Sequence, residues 1–268
     1  MITIRESGPV RVYRTGRTIH RMANYYAYCF QLGTVLVDTS TTYVGPELLL
    51  ALEHHPPETI LNTHCHEDHT GNNRRIQNRF GVTIYAHPDA VPVMAEPWPR
   101  QPHFYLRMMW NRPAPSRALP LGDSVACGGY RFEVIHTPGH SQDHVCFYEP
   151  EHRLLFAGDL FCGERVKYLR ADESFPQQME SVRKLIQLDV DTIFCAVQGA
   201  VTDGSAALRR KLDYMEELDG RIRELYQQGV SRTEIRKQLL GNEGLMYVIS
   251  SGHFAKQHLV DSALGQLQ

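Results

Sequence analysis

The sequence predicts an α/β protein with a helical C-terminal tail, on three observations. Short β-branched or aromatic runs alternate with amphipathic helical stretches through most of the chain. From about Ser205 onward the pattern is helical. The 268 residues are 42% hydrophobic and 22% charged, enough apolar material for one large α/β domain or two small ones. No internal repeat and no low-complexity segment breaks this rhythm.

The elements follow in order. "VRVYR", "YYAYCFQL" and "TVLVDTS" read as strands, the last two separated by a turn at Gly33. "GPELLLALEHH" reads as a helix, with Pro46 in its first turn and Leu48, Leu49 and Leu52 on one side. "ETILNT" is a short buried strand. "GNNRRIQNRFG" is a helix stopped by Gly81, and "VTIYAH" is another strand. Residues 91–120 differ: their seven prolines, two tryptophans and three methionines are too Pro-rich for a regular core element and too apolar for a solvated linker. The stretch is expected to be an insertion, either a substrate-facing lid or a loop packed outside the fold. "SVACGGYRFEVIHTPGH", "HVCFYEP" and "RLLFAGDLF" are strand-like, "PQQMESVRKLIQL" helical and "DTIFCAV" a strand. In the tail, "SAALRRKLDYMEELDGRIRELYQQG" is a helix, and Ser231 with Glu234 forms a capping box for the next. A last helix starts near Phe254. Residues 1–204 are expected to form the α/β unit and 205–268 a helical extension packed on it.

Bulk properties exclude several classes. Lys plus Arg number 28 against 30 for Asp plus Glu, a net charge of −2 that does not suit an electrostatic nucleic-acid binder. The six cysteines are scattered, none in a CxxC pair, which predicts free thiols in a reducing compartment. The stretch "MITIRESGPVRVYRTGR" has no apolar h-region, and no run approaches the ~20 apolar residues of a membrane span. A cytoplasmic protein acting on a small molecule is expected; the oligomeric state is not legible.

The chemistry concentrates in "LNTHCHEDHTGNN". His64, His66, Asp68 and His69 supply three imidazoles and a carboxylate within six positions, donor types that divalent transition metals prefer, zinc above all. An extended backbone would point residues 64 and 66 the same way and Cys65 away; Asp68 and His69 then turn in as a helix begins. Two further stretches add donors at the ends of apolar runs: His140 in "HTPGHSQDH" and Asp159 in "LLFAGDLF".

Together "HCHEDH", "TPGHS" and "AGDL", in this order, resemble the metallo-β-lactamase superfamily over roughly residues 10–200. "TPGHSQDHVCFY" is similar to the corresponding segment of glyoxalase II-type thioester hydrolases, although the C-terminal helices do not match that enzyme's substrate domain. The resemblance implies a four-layered αβ/βα sandwich with a metal site at one edge. It implies His64, His66 and His140 on one metal, Asp68 and His69 on a second, and Asp159 bridging them. The implied cofactor is zinc, as two ions or one, with iron or manganese as alternatives.

The chain departs from the pattern at "IFCAVQGAVTDG", where the family usually carries one more histidine. Val197 or Gln198 stands there. Gln198 could offer an amide oxygen, or His253 could reach back over the site; otherwise the second metal is held loosely or is absent. The expected activity is metal-dependent hydrolysis of an ester, thioester, lactone or related bond. In it a metal-bound hydroxide attacks, and Asp68 orients the nucleophile and passes a proton to the leaving group. Arg165, Tyr168 and His253 are candidate substrate contacts. A mononuclear iron oxidoreductase and a non-catalytic relative of the same fold are the alternatives.

Overall fold

The computed structural model describes residues 1–19, 23–97 and 103–265. A seven-stranded sheet holds β1 (Ile2–Ser7), β2 (Val10–Ile19), β3 (Ala23–Leu32), β4 (Val35–Val37), β5 (Thr59–Leu61), β6 (Thr83–Ala86) and β7 (Leu119–Pro120) in sequential order. The first four pair antiparallel, and β4 through β7 run parallel. The parallel half needs crossovers. α1 (Gly45–Leu52) joins β4 to β5, α2 (Glu67–Thr70) and α3 (Asn73–Phe80) join β5 to β6, and α4 (Ala90–Ala95) and α5 (Phe104–Met109) join β6 to β7.

A second sheet holds β8 (Ser124–Cys127), β9 (Tyr130–His136), β10 (Val145–Glu149), β11 (Leu154–Gly158), β13 (Thr192–Cys195) and β14 (Gly199–Thr202), in the order β14-β13-β11-β10-β9-β8. Between them in sequence, β12 (Leu169–Arg170) pairs with β15 (Phe254–Ala255), and α6 (Phe175–Leu185) completes the parallel crossover from β11 to β13. The tail is α7 (Gly204–Gln227), α8 (Arg232–Leu240), α9 (Leu245–Ile249) and α10 (Lys256–Ala263).

Strand alternation assembles these into four layers. In β4, Val35 and Val37 face the second sheet, meeting Phe132, Phe147 and Phe156. Leu36 faces the opposite way, with Leu48 and Leu52 of α1 and Ile76 of α3. In β11, Phe156 enters the inter-sheet core, while Leu155 and Ala157 meet α6 and α7. A strand buried on both faces reads as a continuous apolar run, which is why "VLV" and "LLFA" lack polar alternation. The order is thus helices, sheet, sheet, helices. Leu208, Leu212, Met215, Leu218 and Ile222 of α7 recur at helical spacing and share this outer core with Leu259 and Val260 of α10. Among the described residues no helix is long and apolar enough to cross a membrane.

Several local features differ from the sequence reading. Residues 91–120 carry two short helices, which Pro92 permits because it sits in the first turn of α4 and removes no helical hydrogen bond there. Tyr105, Leu106, Met109 and Trp110 of this segment form a small buried cluster against Ile249 and Phe254. Residues 98–102, including Trp98, lie outside the described residues. "SVACGGYRFEVIH" is two strands around the Gly128–Gly129 turn, both glycines at positive φ. β14 continues from β13 by a hairpin through Val197 and Gln198.

Candidate metal centre

The cluster forms at one edge of the sandwich, where β5, β9 and β11 end. Past β5 the chain stays extended as far as His66 (φ −63°, ψ 156°), so His64 and His66 face the same way with ring centroids 4.4 Å apart. Cys65 turns aside and packs, partly buried, against the core that holds Leu48 and Leu52 of α1 and Ile76 of α3. α2 then starts at Glu67 and turns Asp68 and His69 inward, the His69 ring centroid 4.0 Å from that of His64. His140 follows the Pro-Gly turn after β9. Gly139 has φ 128°, and a Cβ there would lie 2.4 Å from the Gln178 backbone nitrogen, so only glycine lets α6 approach. Asp159 follows Gly158, at φ 48°, where a Cβ would fall 2.6 Å from His144 Nε2.

The donor atoms converge. His140 Nε2 is 2.9 Å from His66 Nδ1 and 3.5 Å from Asp159 Oδ2. His69 Nε2 is 3.4 Å from Asp159 Oδ1 and 3.9 Å from Asp68 Oδ1. Two triads, His64–His66–His140 and His64–His69–Asp159, each hold their ligand atoms within 4.8 Å of one another. His64 Nε2 and Asp159 Oδ1 are buried without a hydrogen-bond partner; Oδ1 has His69 at ion-pair distance only. Buried polar atoms are normally satisfied. Two such atoms within a nitrogen and oxygen donor set fit a divalent metal ion.

Further residues orient the donors, and sequence reasoning passed over most of them. Asp38 is buried and accepts from Thr63 N at 2.9 Å, Thr63 Oγ1 at 2.8 Å and His69 Nδ1 at 2.7 Å. A carboxylate only accepts, so Nδ1 carries the proton and Nε2 is left free to bind a metal. Glu173 does the same for His140, 3.0 Å from Nδ1. Asp143 accepts from the Cys65 amide at 2.8 Å and pins the loop. His144 is bonded to Thr137 Oγ1 through Nδ1 at 2.8 Å and accepts the Asp159 amide at Nε2, 3.2 Å away. Arg170 Nη1 lies 2.9 Å from His66 Nε2, while its Nε and Nη2 are held by Asp172. The polar end of "TVLVDTS" is the signal that could have revealed Asp38.

Burial and neighbouring charges set these groups apart, and an ion at His69 Nε2 would take the place of the second proton that the surrounding carboxylates favour. Burial, reinforced by the surrounding imidazoles, pushes His64 well below the usual histidine range. Burial also opposes charge on His69, but Asp38, Asp159 and Asp68 outweigh it and hold that imidazole well above its ordinary range. Burial would raise the Asp159 carboxyl; His69 and His140 override it and hold it low.

His66, Asp68, His140 and Asp159 of the cluster line a pocket of about 320 Å³, together with Met109 and Trp110 of the insertion, and Tyr168 and Arg165. Both of the latter are exposed. Val197, half exposed, lines the pocket where a further histidine would have been expected. Gln198 instead sits against Gly163, its Nε2 2.8 Å from where a Cβ there would lie. His253 lies outside the cluster: its Nδ1 is bonded to the Tyr105 hydroxyl, its Nε2 faces Asp172 at 3.6 Å, and its ring stacks on His103. These ties hold the insertion against the tail and turn His253 away from the position the sequence left open for it.

Comparison with known proteins agrees with this geometry. A hydroxyacylglutathione hydrolase, GloC, from Haemophilus influenzae is 31% identical over 150 residues, covering 54% of this chain and 70% of that protein. Hydroxyacylglutathione hydrolases from Bdellovibrio bacteriovorus and Rhizobium meliloti are 31% and 33% identical, over 51% and 50% of this chain; the match spans 47% and 44% of their own lengths. In solved structures, a beta-lactamase domain protein from Burkholderia ambifaria superposes with a TM-score of 0.68 at 18% identity, covering 96% of this chain and 88% of that one. A metallo-beta-lactamase family protein from Thermus thermophilus gives 0.63 at 22%, covering 96% and 91%. Residues 19–197 match the profile of the metallo-beta-lactamase superfamily. With the sandwich, the histidine motif and this match over more than half its length, the chain belongs to the metallo-beta-lactamase superfamily.

Proposed function

We propose that this protein is a metal-dependent hydrolase that cleaves a thioester, ester or lactone bond of a small molecule. The observation that carries this reading is the pair of buried donor atoms without a hydrogen bond, His64 Nε2 and Asp159 Oδ1, beside a substrate-sized pocket that Asp159 lines. His64, His66 and His140 would hold one ion; His69, Asp159 and Asp68 would hold a second. Bound there, zinc supplies Lewis acidity, polarising a carbonyl and making water nucleophilic at neutral pH. The chain's residues do the rest. Asp68 lines the pocket and is the group assigned to orient the nucleophile and hand a proton to the leaving atom. Asp38 and Glu173 fix the tautomers of His69 and His140. Met109 and Trp110 offer an apolar wall to an acyl group.

The hydroxyacylglutathione hydrolases among the relatives favour a thioester. Val197 favours one tightly held ion over two, since its side chain cannot ligate. Iron in place of zinc would instead favour the oxidoreductase reading. In this account residues 1–204 form the unit that carries the site, and 205–268 an extension that closes the pocket. Six free thiols suit a reducing compartment such as the cytoplasm. The test is elemental analysis followed by a panel of thioesters, esters and lactones. Wild type is expected to turn over at least one class, and His66→Ala to lose about two orders of magnitude or more. Full turnover by His66→Ala would exclude a catalytic role for the cluster.

A further inference from the structure

Arg170 holds His66 by the nitrogen turned away from His140. It stands on β12, paired with Phe254 of β15, and its side chain is 11% exposed. Nη1 is 2.9 Å from His66 Nε2, against 3.4 Å from Nδ1. Nε and Nη2 grip both oxygens of Asp172, at 3.0 and 2.8 Å. Asp172 in turn faces His253, which Tyr105 holds, and the Ala171 amide donates to the His253 carbonyl at 2.9 Å. The guanidinium is thus anchored to the tail and the insertion, and reaches the cluster from outside it.

These hydrogen bonds fix a direction. A guanidinium only donates, so His66 Nε2 accepts. A neutral imidazole has one N–H and one lone pair, which leaves the proton on Nδ1. That N–H meets His140 Nε2 at 2.9 Å, and His140 Nδ1 meets the Glu173 carboxylate at 3.0 Å. Arg170, His66, His140 and Glu173 form one chain, in which each contact has one donor and one acceptor. A metal ligand must offer a lone pair, and in this chain His66 has none to spare. With an ion on Nδ1, the proton passes to Nε2 and meets the Arg170 N–H head-on. An ion on Nε2 needs the place of Nη1. Either way the guanidinium has to withdraw. It has room to do so: Arg170 and His66 both line two cavities, of about 320 and 270 Å³. Asp172 is exposed and can follow it.

We propose that Arg170 is a latch that competes with the metal ion for His66, and so sets how tightly an ion on His64, His66 and His140 is held. The inference rests on the cluster holding a metal, and not on hydrolysis. Arg170 is a positioning residue: it acts through His66, and its anchorage on Asp172, His253 and Tyr105 ties metal retention to the tail and the insertion.

The test uses the full chain, zinc as the probe, and two readouts that need no turnover. Chelator competition measures zinc affinity. Long-range proton–nitrogen correlation NMR on isotope-labelled histidine reads which His66 nitrogen carries the proton, with the signals assigned by their loss in His66→Gln. Arg170→Met is expected to bind zinc roughly tenfold or more tightly than wild type, the scale on which groups around a metal ligand act. Metal-free wild type should carry the His66 proton on Nδ1, and metal-free Arg170→Met should lose that preference. If Arg170→Met does not fold, Arg170→Gln carries the same comparison, and its amide oxygen can accept from an Nε2–H. Zinc affinities within about twofold of each other, or weaker binding by the variant, would overturn the latch and leave Arg170 a structural support. Tighter binding by the variant, with the wild-type proton already on Nε2, would reduce Arg170 to a repelling charge and overturn it too. Zinc binding by neither protein would defeat the metal-centre reading and the latch together. A wild type that hydrolyses nothing, but shows the expected affinity and proton position, defeats the hydrolase reading and supports the latch.

Discussion

Replacing Asp38 by asparagine tests the link between a buried carboxylate and the proposed metal ligand it orients, His69. The residue has φ 60°, a left-handed conformation that asparagine adopts readily, so the backbone is kept. The amide oxygen still accepts the Thr63 N–H, which now lies 2.9 Å from Asp38 Oδ1. The amide nitrogen takes the place of Oδ2, which is 2.7 Å from His69 Nδ1, and two N–H groups cannot share that contact. The His69 proton must move to Nε2, the nitrogen that faces Asp159 and Asp68. A protonated nitrogen has no lone pair for a metal. One charge-assisted hydrogen bond is lost, about 1.5–3 kcal/mol of folding stability, and losing an orienting carboxylate costs 10–100-fold in metal affinity, roughly 1.4–2.7 kcal/mol. Asp38→Ala additionally strands the Thr63 and His69 donors and should cost roughly 3–5 kcal/mol. Chelator competition for zinc and urea denaturation read the two effects separately. A zinc affinity of Asp38→Asn within twofold of wild type, at unchanged stoichiometry, would refute the assignment of Nε2 as the ligating atom.

Three other outcomes are expected. Val197→His puts an imidazole on the β13–β14 hairpin facing the pocket, and elemental analysis should show the zinc content rising toward two ions per chain. Gly158→Ala forces a Cβ to within 2.6 Å of His144 Nε2 at positive φ, so it should lower the stability measured by denaturant unfolding by roughly 1–3 kcal/mol or more and displace Asp159. Phe156→Ala empties the centre of the inter-sheet core, where the ring packs against Phe30, Phe132 and Phe194. It should cost about 3–5 kcal/mol by calorimetric or denaturant unfolding.

Much of the candidate site was legible because its residues cluster along the chain. His64, His66, Asp68 and His69 lie within six positions, and His140 and Asp159 each terminate an apolar run. The strand parity that turns Cys65 away from His64 and His66 was also readable. The orienting groups were not. Asp38, Glu173 and Arg170 act across 31, 33 and 104 positions of sequence, and only the closure of the two sheets brings them to the histidines. The short edge strand β1 escaped notice because its side chains are mostly exposed, leaving no apolar pattern to read. The helices of residues 91–120 were obscured by prolines, of which Pro92 proves to occupy a permitted position. His253 was expected to reach back over the site; Tyr105, invisible in one dimension, is what claims it.

The central claim is that the histidine–aspartate cluster holds a functional metal. Elemental analysis of the purified full chain after zinc loading and removal of excess, set beside His64→Ala, tests it most directly. His64 belongs to both triads, so its removal disables either arrangement. The account predicts about one zinc ion or more per wild-type chain, and close to none in a folded His64→Ala protein that has also lost hydrolysis. Equal metal content in the two proteins, or a metal-free wild type that hydrolyses the panel at full rate, would contradict it.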